Sequence, residues 1–100
     1  FLSRNWSMPH ALGLSVYIGT LLPIEGWRTY APFREELKNQ VNEWIRLTDG
    51  FEGCIDFDLA VQDPDHPAAF KAGYNSGDHL HPSGAGYKAM ADAVPKSFLY

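Results

Sequence analysis

Residues 75–94 read NSGDHLHPSGAGYKAMADAV, a glycine-flanked polar loop carrying an aspartate and two histidines that runs into a stretch of helix formers. Ser83 stands where a helix needs an N-cap oxygen. The segment GAGYKAMADAV after it places Ala89, Met90, Ala93 and Val94 on one face before Pro95 stops the run. A loop set immediately before a helix can hold an imidazole toward solvent while a neighbouring carboxylate orients it. Asp78 and His81, three residues apart, have that spacing: the carboxylate can turn back onto one ring nitrogen and leave the other facing a substrate. This is the acid and base portion of a serine-hydrolase triad, in which the acid fixes the tautomer and the histidine deprotonates the nucleophile. Asp-x-x-His alone is a common pattern, so the surrounding sequence must supply the specificity.

Upstream, Leu14, Val16 and Ile18 alternate with Ser15, Tyr17 and Gly19, and TLLP follows as a stop, which predicts a strand over 14–20. After Pro23 and Gly26, Phe33, Leu37, Val41, Trp44 and Ile45 recur at helical spacing. Arg34, Glu35, Lys38, Asn39 and Asn42 fall on the other face, so an amphipathic helix is expected over 31–47 with Trp44 in the core. Asp49 and Gly50 end it. EGCIDF, residues 52–57, then reads as a short, nearly continuous apolar strand suited to a sheet covered on both faces. Residues 59–76, with Pro64, Pro67, Gly73 and Asn75, read as a long irregular excursion with at most one helical turn. Strand, helix, strand, loop, helix is βαβα order, which predicts an α/β domain with a parallel sheet. Two strands make a poor sheet, and the apolar edge calls for further strands that this sequence does not supply.

One hundred residues suit a single domain, 1–100, and 45% hydrophobic with 14% aromatic residues predicts a folded core. With 8 Lys and Arg against 12 Asp and Glu, no basic face is expected, which argues against a nucleic-acid partner. Cys54 is the only cysteine, so no intrachain disulfide can form and the compartment stays open; an inert, buried thiol is the plain reading. The first residues lack both a cationic start with an apolar run and a stretch of eighteen or more apolar residues, so neither signal peptide nor membrane span is expected. A start on Phe1 rather than Met suggests that an upstream portion has been lost from the sequence.

The run SGDHLHPSGAGYKAMADAV resembles the last sequence block of the SGNH hydrolases, also called the GDSL lipase and esterase family. GLSVYIGTLLP and GFEGCIDFDLAVQDP are similar to the segments that precede that block, so the resemblance covers nearly the whole chain. It implies an incomplete three-layer α/β/α fold of flavodoxin-like type, limited to its C-terminal half, with the catalytic loop at the carboxyl ends of the parallel strands. It also implies that Asp78 is the triad acid, that His81 is the base, and that His79 is a bystander that shapes the loop. The family commonly has Asn where Ser83 stands, a change that keeps an N-cap oxygen.

A second departure is larger. The family's nucleophile lies in a Gly-Asp-Ser block, and its oxyanion donors, a glycine and an asparagine, come from two further blocks; none of these is found here. GYNS at 73–76 resembles a Gly-x-Asn element but sits inside the last block, where the oxyanion asparagine does not belong, and a G-x-S-x-G elbow is missing too. The resemblance therefore implies a serine ester hydrolase acting on an acylated sugar or a lipid, without metal or organic cofactor. The 100-residue piece is expected to have little activity alone. Many members of the family are secreted, but the sequence assigns no compartment. A non-catalytic partial protein that associates through its open sheet edge is the alternative.

Other residues invite competing readings. His79 and His81 could present two imidazoles to a metal beside Asp78, with only His66 and His10 spare as further ligands. Trp27, Tyr30, Phe33 and Trp44 could line an acyl or sugar pocket, although aromatics at helical spacing belong more often to a core. Asp56 and Asp58 flank Phe57 and fall on one side of a strand, as paired carboxylates for glycoside hydrolysis would. Strand-end solvation and helix capping by Asp58 is the plainer reading. Thr20 and Pro23 end a strand on the expected site edge and are read as structural.

Overall fold

In the computed structural model, which describes residues 12–99, the first regular element is β1, Tyr17–Gly19. It pairs in parallel with β2, Gly53–Ile55, in the register Tyr17↔Gly53, Ile18↔Cys54 and Gly19↔Ile55. The ladder is extended at its ends, where Glu52 N–H donates to the Val16 carbonyl at 2.9 Å and Thr20 N–H donates to the Ile55 carbonyl at 3.1 Å. Parallel strands need a long crossover, and α1, Pro32–Leu47, provides it. Pro32 suits the first helical turn because the N–H it lacks would have no partner there, and Glu35 and Arg46 complement the helix dipole at its two ends.

Ile45 is buried as its apolar spacing predicts, but the rest of the helix's inward face differs from the predicted one. Lys38, Asn42 and Ile45 are buried, whereas Phe33, Leu37, Trp44 and Leu47 are exposed. The buried row 38, 42, 45 lies one position on from 37, 41, 44, a rotation of roughly 100° about the helix axis. Polar partners explain it. Asn42 Oδ1 accepts the Leu21 N–H at 2.7 Å and its Nδ2 donates to the Leu21 carbonyl at 2.9 Å, while Lys38 Nζ lies 3.1 Å from Glu35 Oε2. Trp44, expected in the core, is instead 40% exposed and meets Phe51 edge-on.

The excursion after β2 is more ordered than its prolines suggest. Asp56 caps α2, Phe57–Val61, by accepting the Leu59 N–H at 3.1 Å, so the cap is Asp56 and not Asp58. β3, Gln62–Asp63, and β4, His66–Phe70, then form an antiparallel hairpin with an irregularity between Gln62 and Asp63. Its turn is closed by Asp63 Oδ1, which accepts the Asp65 N–H at 2.9 Å. Two-residue β3 is too short to show alternation, and Pro67 disguises β4.

Ile45, Val61 and Phe70 form the buried apolar core. α3, Gly84–Asp92, contacts α2. Its N-cap is Ser83, whose Oγ accepts the Gly86 N–H at 3.2 Å and donates to the Gly73 carbonyl at 2.6 Å. Ala89, Met90, Ala93 and Val94 are half-buried. A 3₁₀ turn, Lys96–Phe98, lays the Phe98 ring on Tyr17 with centroids 4.1 Å apart. A Cβ at Gly53 would collide with that ring. Helices around a parallel strand pair make this an α/β unit consistent with part of a flavodoxin-like sheet. Among the described residues no third strand joins β1 or β2, and no helix is long and apolar enough to cross a membrane.

Candidate active site

The 75–82 loop is closed at its base before any side chain acts. Asn75 and Pro82 form an antiparallel bridge, and Ser76 N–H donates to the His81 carbonyl at 3.0 Å. Gly77, at φ 122°, takes a turn that an L side chain rarely adopts. Asp78 then faces inward on its own loop. Its Oδ1 accepts the Leu80 N–H at 2.9 Å, the His81 N–H at 2.8 Å and the Ser76 hydroxyl at 3.0 Å. Its Oδ2 is left for His81 Nδ1, 2.6 Å away. With donors converging on both oxygens, the Asp78 carboxyl is held well below the usual carboxylate range, first by the His81 ring and next by the His81 and Leu80 amides. An ionised carboxylate can only accept, so Nδ1 carries the proton and the Nε2 lone pair of His81 is free to take one. Among the described residues no side chain hydrogen-bonds to that nitrogen.

His81 faces an open cleft of about 610 Å³. Its wall is aliphatic, built from Leu21, Leu22 and Ile24 in the segment after β1, Leu37 and Val41 of α1, and Leu80 beside His81, with Arg34 and Lys38 as its cations. The cleft therefore lies beyond the carboxyl end of β1, the usual place for a ligand in an open parallel sheet. Trp27, Tyr30, Phe33 and Trp44, the aromatic pocket candidates, do not line it. Tyr30 instead donates its hydroxyl to Glu35 Oε1 at 3.3 Å.

His79 is turned away from the pair. It sits in the left-handed region at φ 60°, its Nδ1 is 2.8 Å from Asn75 Nδ2, and its ring lies against Gly26. His66 is elsewhere, with Nε2 2.5 Å from Glu25 Oε2, and His10 lies outside the described residues. Among the described residues no group of three or more His, Cys, Asp or Glu side chains is arranged to hold a metal ion.

Asp56 and Asp58 share a cation and do not face a cleft as a catalytic pair. Arg46 reaches Asp56 through Nε at 2.8 Å and Nη2 at 2.9 Å, and the same Nη2 lies 2.9 Å from Asp58 Oδ2. Arg46 lowers the Asp56 carboxyl, whereas burial pushes that of Asp58 up. Thr20 joins the cluster by donating to Asp56 Oδ1 at 3.1 Å and accepting the Asp58 N–H at 2.8 Å. Thr20 and Pro23 are both buried and structural. Cys54 is half-buried on β2, with its thiol pushed up by burial, which makes it a poor nucleophile.

A parallel α/β unit that carries a carboxylate-held imidazole beside an apolar cleft has the build of a hydrolase domain. The chain belongs to the GDSL-like lipase/acylhydrolase family, whose model matches residues 8–94. Membership brings a general esterase- or lipase-type function. No curated protein matches the chain significantly.

Proposed function

We propose that the chain supplies the acid and base of a Ser-His-Asp triad in an ester hydrolase, as the C-terminal part of a longer catalytic domain whose nucleophilic serine lies outside these 100 residues. The observation that carries this reading is the 2.6 Å contact between His81 Nδ1 and Asp78 Oδ2, made by a carboxylate whose other oxygen is fully occupied. Asp78 holds His81 in the Nδ1–H tautomer. His81 Nε2 takes the serine proton as Oγ attacks the ester carbonyl, and returns it to the departing alkoxide as the carbon–oxygen bond breaks. Water, deprotonated by His81, then attacks the acyl-enzyme, and the proton passes to the released serine oxygen.

The aliphatic wall beside His81 favours an ester with an alkyl acyl chain, a lipid rather than an acetylated sugar. Each methylene it covers contributes about 0.8 kcal/mol. The test compares hydrolysis of p-nitrophenyl acetate and octanoate by the chain alone and by the chain extended upstream along its coding sequence through a Gly-Asp-Ser block. Activity confined to the extended protein, with octanoate preferred by about tenfold or more, is the expected result. Activity in the short chain, or silence in both, would sink the reading.

Among the described residues no strand joins the outer edges of β1 and β2, which favours one second reading, a non-catalytic protein that associates edge to edge. It predicts dimers or larger species of the 100-residue chain in light scattering.

A further inference from the structure

The geometry points to Asn75 and His79 as positioning residues for the Asp78–His81 pair: Asn75 fixes the loop from within, and His79 ties it to the Gly26 turn at the cleft rim. The inference rests on the reading of His81 as the base only for its functional meaning; the geometry stands without it.

Asn75 Oδ1 accepts two backbone N–H groups, from Gly77 at 2.8 Å and from His79 at 3.0 Å. Those two donors fix which end of the amide is oxygen, because a flipped side chain would turn its NH₂ against both of them. The NH₂ therefore points at His79 Nδ1, 2.8 Å away, and as a donor it requires an unprotonated Nδ1. His79 is thereby held as the Nε2–H tautomer, the opposite of the tautomer that Asp78 imposes on His81. The two histidines of His-Leu-His are assigned by two different side chains, and each assignment depends on the same loop conformation.

That conformation includes a non-glycine residue in the left-handed region, His79 at φ 60°, a cost that the surroundings must offset. The offset comes from Asn75 and from Gly26. A Cβ at Gly26 would come within 2.8 Å of the imidazole, so only glycine lets the ring rest on that turn. The turn is anchored in its own right, since Glu25 N–H donates to the Ala68 carbonyl of β4 at 3.1 Å. Ile24, one residue earlier than Glu25, lines the cleft with His81. His79 thus couples the loop that aims the imidazole to the wall the imidazole faces.

The test is ¹⁵N NMR of the histidine rings in the isotopically labelled 100-residue chain, at about pH 8.5, where imidazoles are neutral. The wild-type chain should show His79 as Nε2–H and His81 as Nδ1–H. Asn75→Ala should convert both to tautomer mixtures while α3 stays folded. Asn75→Asp keeps the acceptor for the two amides but sets a second acceptor against His79 Nδ1, and should turn His79 to the Nδ1–H tautomer while His81 stays Nδ1–H. His79→Asn, which tolerates left-handed backbone but loses the ring against Gly26, should loosen His81 into a partial tautomer mixture, and His79→Val, which also strains the backbone, should do so further. A wild-type His79 protonated on Nδ1 would overturn the inference even if the variants failed to fold, and so would an unchanged His81 in a folded Asn75→Ala chain. No substrate is involved, so an active His81→Ala enzyme would sink the base reading and leave this result standing.

Discussion

Replacing Asn42 with alanine should loosen the join between α1 and the cleft rim. Asn42 is 1% exposed, and both ends of its amide are used on Leu21, the carbonyl oxygen at 2.7 Å and the NH₂ at 2.9 Å. Truncation leaves a backbone donor and a backbone acceptor facing the space the amide filled. An unmade buried hydrogen-bonding group costs about 1–3 kcal/mol. Leu21 is itself 47% exposed, so water reaches part of the vacated site and the lower figure applies, about 2 kcal/mol for the two groups. In a domain of this size that corresponds to a fall in Tm of roughly 8–16 °C. Urea unfolding followed by far-UV circular dichroism measures it. Asn42→Asp keeps the acceptor for Leu21 N–H but sets a second acceptor against the Leu21 carbonyl, and should lose at least as much. An Asn42→Ala chain within about 0.5 kcal/mol of wild type would refute the reasoning.

Three further outcomes are expected. Because the folded Asp78 carboxyl lies below its unfolded value, its contribution is present above the unfolded midpoint of about 3.9 and is lost as pH falls through the lower folded one; the Asp78 side-chain carboxyl ¹³C resonance should show its protonation step only below about pH 4. Gly86→Ala should destabilise by about 1–3 kcal/mol despite the better helix propensity of alanine, because the new Cβ would stand 2.6 Å from the Tyr74 carbonyl oxygen and 2.9 Å from Pro82 Cβ; calorimetry checks the sign. Arg46→Met should cost about 1–2 kcal/mol at neutral pH, discounted because the Arg46 side chain is 38% exposed, and less as pH falls and Asp58, its carboxyl pushed up by burial, gains a proton and no longer needs a cation; urea midpoints at neutral and acidic pH decide it.

Periodicity made the frame legible. Alternation from Leu14 to Gly19 marked β1, the helical spacing after Pro23 and Gly26 and the Asp49-Gly50 stop bounded α1, and Ser83 announced α3, since each of these signals is local. The rotation of α1 was not legible, because a buried Asn42 is stabilised by the Leu21 backbone, which is distant in sequence and identified only by the fold. The hairpin over 62–70 was hidden by its two-residue first strand and by Pro67. In the candidate site, Asp78 and His81 stood out through their spacing and their resemblance to a known block. Asn75 was missed as a partner of the loop, although an Asn two residues before a glycine is a recognisable Asx-turn signal. The cleft wall was sought among aromatic residues, because aliphatic residues such as Leu21 and Leu80 carry no mark of proximity to a histidine until the chain is folded.

The most direct test of the central claim sets the two neighbouring histidines against each other in the upstream-extended enzyme, with kcat/KM for p-nitrophenyl octanoate as the readout. If His81 is the base held by Asp78, His81→Ala should lose about 10³-fold or more, and His79→Ala, which only misaligns the loop, about 10–100-fold. A His81→Ala enzyme that keeps a tenth or more of the wild-type value, or that falls no further than His79→Ala, would contradict the account.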